Sequence, residues 1–340
     1  MDQILKELCS IRGISGDEKL VQQKILKGIG PFADSISITP LGSILAHKKG
    51  KYPAKTKLLI SAHMDEVGMI ITHIGKEGLL RFTTVGGIDP RVLAGRTVKI
   101  GDQEIPGVIG MKPIHVLSAA EREKAVPIED LAIDIGASGK EEASSVISPG
   151  DSVTFERSFY ENGHTIMSPA LDDRAGCAIL IFLMQKVEWK YDTDFLFAVQ
   201  EEVGLNGSKT AAFADQPQAS IVVEVTTAAD IAGMAPENRV CVLGKGPVIS
   251  FMDKRTIYDR DYCHMAFEEA KKAGIPCQYK QAVAGGNDAG AIHTSRSGIR
   301  TVAVSLPGRY LHSPMSVISC KDYEDAKPLI ALMAERIAGE

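Results

Sequence analysis

The feature that most constrains the fold is a set of four apolar runs, each typical of a buried β-strand and each followed by histidine or carboxylate side chains. The runs and the residues that follow them are 57–62 before His63 and Asp65, 194–199 before Glu201 and Glu202, 220–223 before Glu224, and 298–306 before His312. In open α/β sheets, ligands bind outside the carboxyl ends of the strands. We therefore expect these side chains to face one rim of a sheet, although they are far apart in sequence.

A fifth segment adds two carboxylates to this set. Asp172 and Asp173 precede a strongly apolar stretch, and the pattern predicts a helix over residues 172–186 with both aspartates at its N-terminus. Glu201 and Glu202 are adjacent, and neighbouring carboxylates repel unless a cation lies between them or one carries a proton. A metal ligand beside a general base would use both side chains, whereas a solvated loop is the alternative for a Glu-Glu pair alone.

Composition excludes several classes of protein. The 340 residues carry a formal net charge of −5, which gives no footprint for nucleic acid or for an anionic membrane. The longest apolar run, residues 175–184, is too short to span a bilayer. The six cysteines form no Cys-x-x-Cys pair, so neither a zinc knuckle nor a redox motif is indicated. Since no export signal is recognised at the start of the sequence, we expect reduced cysteines and a cytoplasmic location.

The sequence pattern differs between two parts of the chain. This difference predicts an α/β domain with a β domain inserted after the first strand that bears a candidate ligand. From about residue 67 to 156 the sequence consists of short β runs separated by Gly and Pro, which favours a small barrel or sandwich. Ser15 and Glu18 have the spacing of a capping box for a helix that ends near residue 27. Further helices are predicted over 256–273, 288–297 and 322–337.

Catalysis by a serine or cysteine nucleophile and nucleotide binding both have little support. The sequence contains no Gly-x-Ser-x-Gly nucleophile elbow and no cysteine in an evident electropositive setting. It also lacks the spacing of a phosphate-binding loop.

Five blocks of the sequence resemble the motif series of the TET aminopeptidases. The blocks are Ala-His63-Met-Asp65-Glu-Val-Gly, Ala-Leu-Asp172-Asp173-Arg-Ala-Gly, Gln-Glu201-Glu202-Val-Gly, Gly-Gly286-Asn287-Asp288-Ala-Gly and Arg-Tyr-Leu-His312-Ser-Pro. Members of this family are peptidases with two co-catalytic metals that assemble into tetrahedral shells, and some carry glutamyl aminopeptidase or endoglucanase names. A glycosidase needs two carboxylates but would not need His63 and His312.

The resemblance implies a mixed-sheet, zinc-peptidase-like catalytic domain formed by residues 1–66 and 164–340. It also implies that residues 67–163 form an inserted small β-barrel dimerisation domain. The expected assembly is a tetrahedral homododecamer built from dimers.

The resemblance also implies roles for individual residues. Two divalent metals, zinc or alternatively cobalt or manganese, would be bridged by Asp172. His63 and Glu224 would complete one site, and Glu202 and His312 the other. Glu201 would be the general base, Asp65 would fix the His63 tautomer, and Gly286, Asn287 and Asp288 would line the substrate cleft. Glu224 departs from the family pattern, in which an aspartate is expected, while Asp173 is either a helix cap or a catalytic part.

We therefore expect a metal-dependent aminopeptidase that acts on peptides through metal-activated water. A deacylase or carboxypeptidase on the same catalytic fold is one alternative, and a non-catalytic metal-binding scaffold is another. The sequence does not indicate which N-terminal residue is preferred. Arg174 is interpreted as an ordinary surface or packing charge.

Overall fold

The structure, a computed structural model, describes residues 3–340, so the predicted domain start at residue 1 lies outside the described residues. The helices are α1 Gln3–Cys9, α2 Lys19–Ile29, α3 Ala119–Arg122, α4 Lys140–Ser144, α5 Leu171–Lys186, α6 Asn206–Asp215, α7 Arg260–Ala273, α8 Ala289–Ile292 and α9 Cys320–Ala338. Within residues 3–340, no helix has both the length and the apolar character needed to cross a membrane.

The strands form one large mixed sheet and one closed barrel. The large sheet contains β1 Ser35–Ile38, β2 Ile44–Lys48, β3 Leu58–His63, β10 Tyr160–Glu161, β11 Thr165–Ser168, β12 Thr193–Ala198, β13 Ala219–Thr227, β14 Val248–Ile249, β15 Gln278–Tyr279, β16 Arg300–Arg309 and β17 Ser316–Ser319. The barrel contains β4 Gly68–Ile74, β5 Leu80–Val85, β6 Thr97–Ile100, β7 Ile105–Gly110, β8 Ala132–Asp134 and β9 Ser152–Phe155.

The centre of the large sheet is parallel and covered on both faces. Strands β12, β3, β13 and β16 are neighbours in that order and run in one direction. Successive side chains of a strand point to opposite faces. Ile60 of β3 accordingly packs in the cluster that contains most of α5, whereas Leu59 packs with Ala211 of α6 on the other side. Such strands are continuously apolar because neither face meets water.

The barrel closes in the order β4-β5-β8-β7-β6-β9 and has its own hydrophobic core. This core is separate from that of the large sheet, which agrees with an inserted unit. The short strands β10 and β11, which follow the barrel, pair with each other and continue the large sheet through β17. The domain boundaries at residues 67 and 163 remain a prediction.

The α/β class and the inserted barrel are confirmed, while three local predictions are wrong. Ser15 and Glu18 form no capping box, because Glu18 is itself the N-cap residue, its side chain accepts from no amide of the helix, and the Ser15 hydroxyl donates to Asp65. Helix α7 begins at Arg260, since Asp259 caps it by accepting from the Asp261 and Tyr262 amides. Helix α8 spans only Ala289–Ile292.

Candidate metal centre

The four parallel strands deliver the predicted side chains to one edge of the sheet. His63 is the last residue of β3, Glu224 lies in β13, and Glu201 and Glu202 follow β12 after a short turn. His312 lies three residues beyond β16 and has a positive φ of 56°. The strained backbone there is a departure of the kind that concentrates at functional sites.

Asp172 lies at the centre of this group, at the start of α5. Its Oδ1 is 3.5 Å from His63 Nε2, and its Oδ2 is 3.5 Å from His312 Nε2. His63 Nε2 is also 3.3 Å from Glu224 Oε1, and His312 Nε2 is 3.3 Å from Glu202 Oε1. Asp172 therefore offers one oxygen to each of two histidine–glutamate pairs.

These separations fit divalent metal ions. Two ligand atoms bound tetrahedrally to one zinc at about 2.0–2.1 Å are about 3.3–3.4 Å apart. The contacting atoms are imidazole nitrogens and carboxylate oxygens, which zinc, cobalt and manganese accept. Within residues 3–340, three groups can bring ligand atoms within 4.8 Å of one another: His63, Asp173 and Glu224; Asp172, Glu202 and His312; and His63, Glu201 and Glu202. The residues present thus suit two adjacent cations.

The two histidines are oriented by backbone carbonyls at their other ring nitrogen. His63 Nδ1 is 3.1 Å from the Asp65 carbonyl oxygen, and His312 Nδ1 is 2.8 Å from the Gly87 carbonyl oxygen. A neutral imidazole that donates from Nδ1 has its lone pair on Nε2, the atom that faces the carboxylates. Gly87 follows β5, so the barrel side of the molecule helps to orient a candidate ligand of the catalytic side.

Asp65 is fully buried, and its carboxylate mainly holds the glutamate pair. Its Oδ1 accepts from the Glu201 amide at 3.0 Å, and its Oδ2 accepts from the Glu202 amide at 3.1 Å. The distance from Oδ1 to His63 Nδ1 is 3.5 Å, longer than that to the Asp65 carbonyl. The structure therefore gives the carboxylate a role that the sequence did not predict, which is to fix the turn that presents Glu201 and Glu202.

The crowding of carboxylates perturbs their protonation. Burial raises the pKa of Glu224 to about 8, the charge of Asp172 adds to this effect, and His63 opposes it. Burial lowers the pKa of His312, but Asp172 and Glu202 outweigh this and raise it to about 11. Burial alone would raise the pKa of Asp172, whereas the facing His312 and His63 bring it below its ordinary value. Protons and divalent cations therefore compete for the same lone pairs.

Glu201 lines the cleft beside this group. Burial raises the pKa of Glu201 well above its ordinary range, and the charges of Glu224, Asp288 and Glu202 act in the same direction. A carboxylate with a raised pKa holds a proton more readily than an ordinary one, which suits a group that accepts and returns a proton. The adjacent Glu202, in contrast, points an oxygen at His312.

The longer side chain at position 224 folds back on its own strand. Glu224 Oε1 accepts from the Val225 amide at 3.1 Å while remaining 3.3 Å from His63 Nε2. The extra methylene relative to the expected aspartate is thus accommodated by a local bend, and the carboxylate still reaches the histidine.

Asp173 shows the features of a buried helix cap. Its Oδ1 accepts from the Gly176 amide at 2.9 Å, and a side chain at Gly176 would collide with its carboxylate. The peptide bond between Asp172 and Asp173 is cis. Burial and the nearby Glu224 raise the pKa of Asp173, and its Oδ2 has no hydrogen-bond partner among the described residues.

A cavity of about 840 Å³ opens onto these side chains. Gly286 and Asn287 line it, as does Lys280 from the loop after β15. Asp288 is fully buried and is not one of the lining residues. The cavity is large enough for a small ligand or the end of a peptide.

Comparison with known proteins finds relatives over nearly the whole length of the chain. Residues 42–329 match the family model of the M42 glutamyl aminopeptidases. The chain belongs to the M42 aminopeptidase family. It is 31% identical to the lysyl aminopeptidase of Pyrococcus furiosus, with 98% of this chain and 97% of that protein covered. It is 28% identical to the glutamyl aminopeptidase of Lactococcus lactis subsp. cremoris over the same shares of the two chains.

Solved structures of M42-like peptidases share the whole architecture. The TET aminopeptidase of a marine sediment Thaumarchaeota archaeon superposes with a TM-score of 0.94 at 35% identity, covering 98% of this chain and 95% of that one. The Pyrococcus horikoshii TET1 peptidase, which can assemble into a tetrahedron or a large octahedral shell, gives 0.86 at 36% identity with 99% of both chains covered. Membership of this metal-dependent family makes the protein a peptide hydrolase of the aminopeptidase class, which decides against a deacylase, a carboxypeptidase or a non-catalytic scaffold.

The sequence motifs of this M42 protein assign no role to the residues that support the rim. Arg174, predicted as a surface or packing charge, is the second of these, since it is fully buried and donates to the carbonyls of Met64, Leu8, Ile11 and Gly13. Its position directly after Asp172-Asp173 was the available signal, because an arginine in an apolar helix start must find acceptors. Lys280 carried no motif signal.

Proposed function

We propose that the protein removes N-terminal residues from peptides with two divalent metal ions, zinc being the best candidate. Asp172 would bridge them, with His63 and Glu224 completing one site and Glu202 and His312 the other. The observation that carries this proposal is the position of Asp172, whose two oxygens each lie 3.5 Å from a different histidine. A purely structural carboxylate would not need two such partners at separations suited to ligands of one metal.

The chemistry of the residues supports hydrolysis. Bound divalent metals supply Lewis-acid polarisation of the scissile carbonyl and make water acidic enough to attack near neutral pH. Glu201 accepts the proton of the attacking water and returns it to the leaving amine, a role that its raised pKa favours. Asp65 holds the Glu201 amide, so the base is aimed into the cleft rather than free in a loop. The free α-amine of the peptide would lie near the carboxylates of the rim.

The role of Glu201 is tested by Glu201→Gln. The variant should retain both metals and bind peptide, while its turnover falls by about 10²–10⁴ because the proton acceptor is lost. Metal content by elemental analysis and turnover of an alanyl-anilide are measured together, with Glu77→Gln on the exposed barrel surface as the matched control. Loss of a metal from Glu201→Gln would mean that the roles of Glu201 and Glu202 are exchanged.

Metal identity and mode of attack need a second experiment. Apoprotein is reloaded with zinc, cobalt or manganese and assayed with aminoacyl-anilides and with the same substrates N-acetylated. Activity should return with two metal equivalents and only on free N-termini. Full activity with one equivalent, or equal cleavage of the acetylated series, would contradict the proposal.

The proposed assembly is a closed homo-oligomer, a tetrahedral homododecamer built from dimers, working in the cytoplasm. Its support is the likeness to a TET1 peptidase that forms tetrahedral or octahedral shells. The barrel side also exposes apolar residues on and after β7, namely Val108, Met111, Ile114 and Val116. Apolar groups clustered in this way favour contact with another protein surface.

Light scattering of the intact protein at low concentration tests this assembly. A dodecameric mass is expected, and Ile114→Glu with Val116→Glu should yield smaller species because charges in an apolar contact are desolvated without partners. Lys112→Glu in the same segment serves as a control for charge alone. A fully active, stable monomer would contradict the proposed shell.

A further inference from the structure

Asn287 contributes a side-chain amide to the wall of the cavity, just before the short helix α8. Only 6% of its surface is exposed, and it is one of the residues that line the cavity. Its Oδ1 accepts from the Ala289 amide at 2.9 Å, and the Tyr258 hydroxyl lies 3.3 Å from the same atom. Because a backbone amide can only donate, the atom that faces Ala289 is the oxygen, and the other atom is the nitrogen Nδ2.

The amide nitrogen of Asn287 has no acceptor in the part of the protein that the structure describes. Within residues 3–340 nothing accepts from Nδ2, and this atom is not one of the unpaired polar atoms that are closed off from solvent. Nδ2 is therefore open to the cavity, with two hydrogens available. An almost wholly buried amide without an acceptor is costly, and a carbonyl bound in the cavity would remove that cost.

The local turn does not explain why the residue is an amide. The bond to Ala289 closes a turn in which a side-chain oxygen accepts from the backbone amide two residues further on. Aspartate forms such turns as well as asparagine does, and serine forms them more weakly. Only the oxygen takes part in this bond, so the nitrogen remains free for another partner.

Asn287 lies close to the reacting part of the candidate site. Burial raises the pKa of Glu201, and the charge of Asp288, the residue after Asn287, adds to this effect. Burial also raises the pKa of Tyr258, with contributions from nearby acidic groups that include Glu224. Groups on both sides of Asn287 therefore interact with the candidate base or with a candidate metal ligand.

We infer that Asn287 is a catalytic residue whose Nδ2 donates to the oxygen of the scissile carbonyl as that oxygen becomes negative. This inference rests on the proposed function. As the water oxygen bonds to the carbonyl carbon, the π electron pair moves onto the carbonyl oxygen and a proton of the water passes to Glu201. A donor that is fixed before the reaction stabilises the new charge without having to reorient. Because every peptide has this carbonyl, the effect should not depend on the N-terminal side chain.

The deciding experiment compares Asn287→Ser and Asn287→Asp with the wild type, all loaded with metal. Both variants keep an oxygen for the Ala289 amide and lose the amide donor. With alanyl- and leucyl-anilides, Asn287→Ser should lower kcat by about 10–10²-fold, equally for both substrates and with little change in KM. Asn287→Asp should lower kcat further, because a negative oxygen would face the developing charge. Asn238→Asp, at an exposed position, is the matched control and should keep wild-type kinetics.

Binding of a tetrahedral analogue gives a measurement that does not depend on turnover. A phosphinic dipeptide analogue carries a negative oxygen on a tetrahedral centre, as the carbonyl carbon does after water adds. Its affinity should fall in Asn287→Ser by about the same factor as kcat. An ordinary peptide, measured by calorimetry in the Glu201→Gln background, should bind equally well with and without Asn287→Ser.

Several outcomes would overturn the inference. A raised KM with unchanged kcat would make Asn287 a residue that binds the substrate before reaction. Unchanged kinetics, or a lower kcat without a matching loss of analogue affinity, would remove its role at the carbonyl. Melting temperature and metal content are measured in parallel. If only Asn287→Asp loses metal or fold, the neutral Asn287→Ser decides, and loss in both variants would make Asn287 a structural residue. These outcomes leave the wild type an active aminopeptidase, whereas no cleavage of any anilide by the metal-loaded wild type would reject the proposed function itself.

Discussion

The rim that bears the candidate ligands and the N-terminal segment that contacts it differ in how clearly the sequence predicts them. The rim consists of strand ends, and its side chains face a cavity. The N-terminal segment, residues 11–18, is a loop in which Arg12, Ile14 and Glu18 are buried. Within it, the Gly13 amide donates to Glu66, the Ser15 hydroxyl to Asp65, and Glu18 accepts from the Gln200 amide.

This difference shows which residues of the site a short sequence motif can identify and which it cannot. A histidine or carboxylate that follows a buried parallel strand lies at the edge of the sheet where ligands bind, so its position suggests a role in ligand binding or catalysis. Glycine, serine and glutamate in a loop can have many different roles, so their positions alone indicate none of them. Ser15 and Asp65 are 50 residues apart and Glu18 and Gln200 are 182 apart, so no local pattern links them. Variants of the rim and of the N-terminal segment test whether the two regions also differ in their contributions to metal binding, activity and stability.

The largest effect is expected at the centre of the rim. Asp172→Ala removes an oxygen from both histidine–glutamate pairs, so metal content should fall at both sites and activity by more than about 10³-fold. Asp173→Ala should reduce stability through the lost Gly176 cap but keep more metal. Metal analysis of the two purified variants is the measurement. If Asp173→Ala empties the site and Asp172→Ala does not, the bridge is assigned to the wrong aspartate.

The sequence predicted the fold class, the inserted barrel and the residues that meet at the rim, because each depends on local periodicity or on family motifs. It failed where tertiary contacts override local signals. Ser15 and Glu18 have capping-box spacing, but the Ser15 side chain bonds to Asp65 and not to the helix. A hydrogen bond to a buried carboxylate is charge-assisted and therefore stronger than one to a helix amide. Lys280 could not be recognised as a residue of the cavity wall, since no local pattern distinguishes a buried lysine from an exposed one.

The next largest effect is expected from Arg174, which links the rim to the N-terminal segment. Arg174→Met leaves several buried carbonyls without their donor and removes one partner of Glu66, so it should destabilise the protein by about 3–5 kcal/mol. Metal retention should also weaken, because Arg174 donates to Met64 between His63 and Asp65. Urea unfolding with Arg122→Met, an exposed arginine on α3, as control measures this. Similar stability of both variants would show that the link carries no energy.

A smaller effect is expected from Ser15, which contacts Asp65 but not the substrate. Ser15→Ala removes one hydrogen bond to the buried Asp65 carboxylate, which still accepts from the Glu201 and Glu202 amides. The loss corresponds to about 1 kcal/mol, or roughly fivefold, and it should fall on kcat rather than KM because the aim of Glu201 is disturbed. Ser15→Thr should restore activity, and Ser10→Ala, which loses only an exposed bond to the Glu7 carbonyl, is the control. An effect on KM alone would place Ser15 in substrate binding instead.

The smallest effect is expected at Glu18, where it should depend on pH. Burial raises the pKa of Glu18 to about 7, with Asp65 adding to this and the Gly16 and Gln200 amides opposing it. A carboxyl whose pKa is raised in the folded state contributes stability at pH values below its unfolded pKa, and this contribution is lost as pH rises through the folded pKa. Glu18→Gln cannot ionise, so its melting temperature relative to the wild type should rise between pH 5 and pH 8 by roughly 1–3 °C and then level off. Glu77→Gln on the exposed barrel surface should show no such trend. A flat difference for Glu18→Gln across this range would mean that Glu18 is already ionised in the folded protein, held by the two amides that it accepts from.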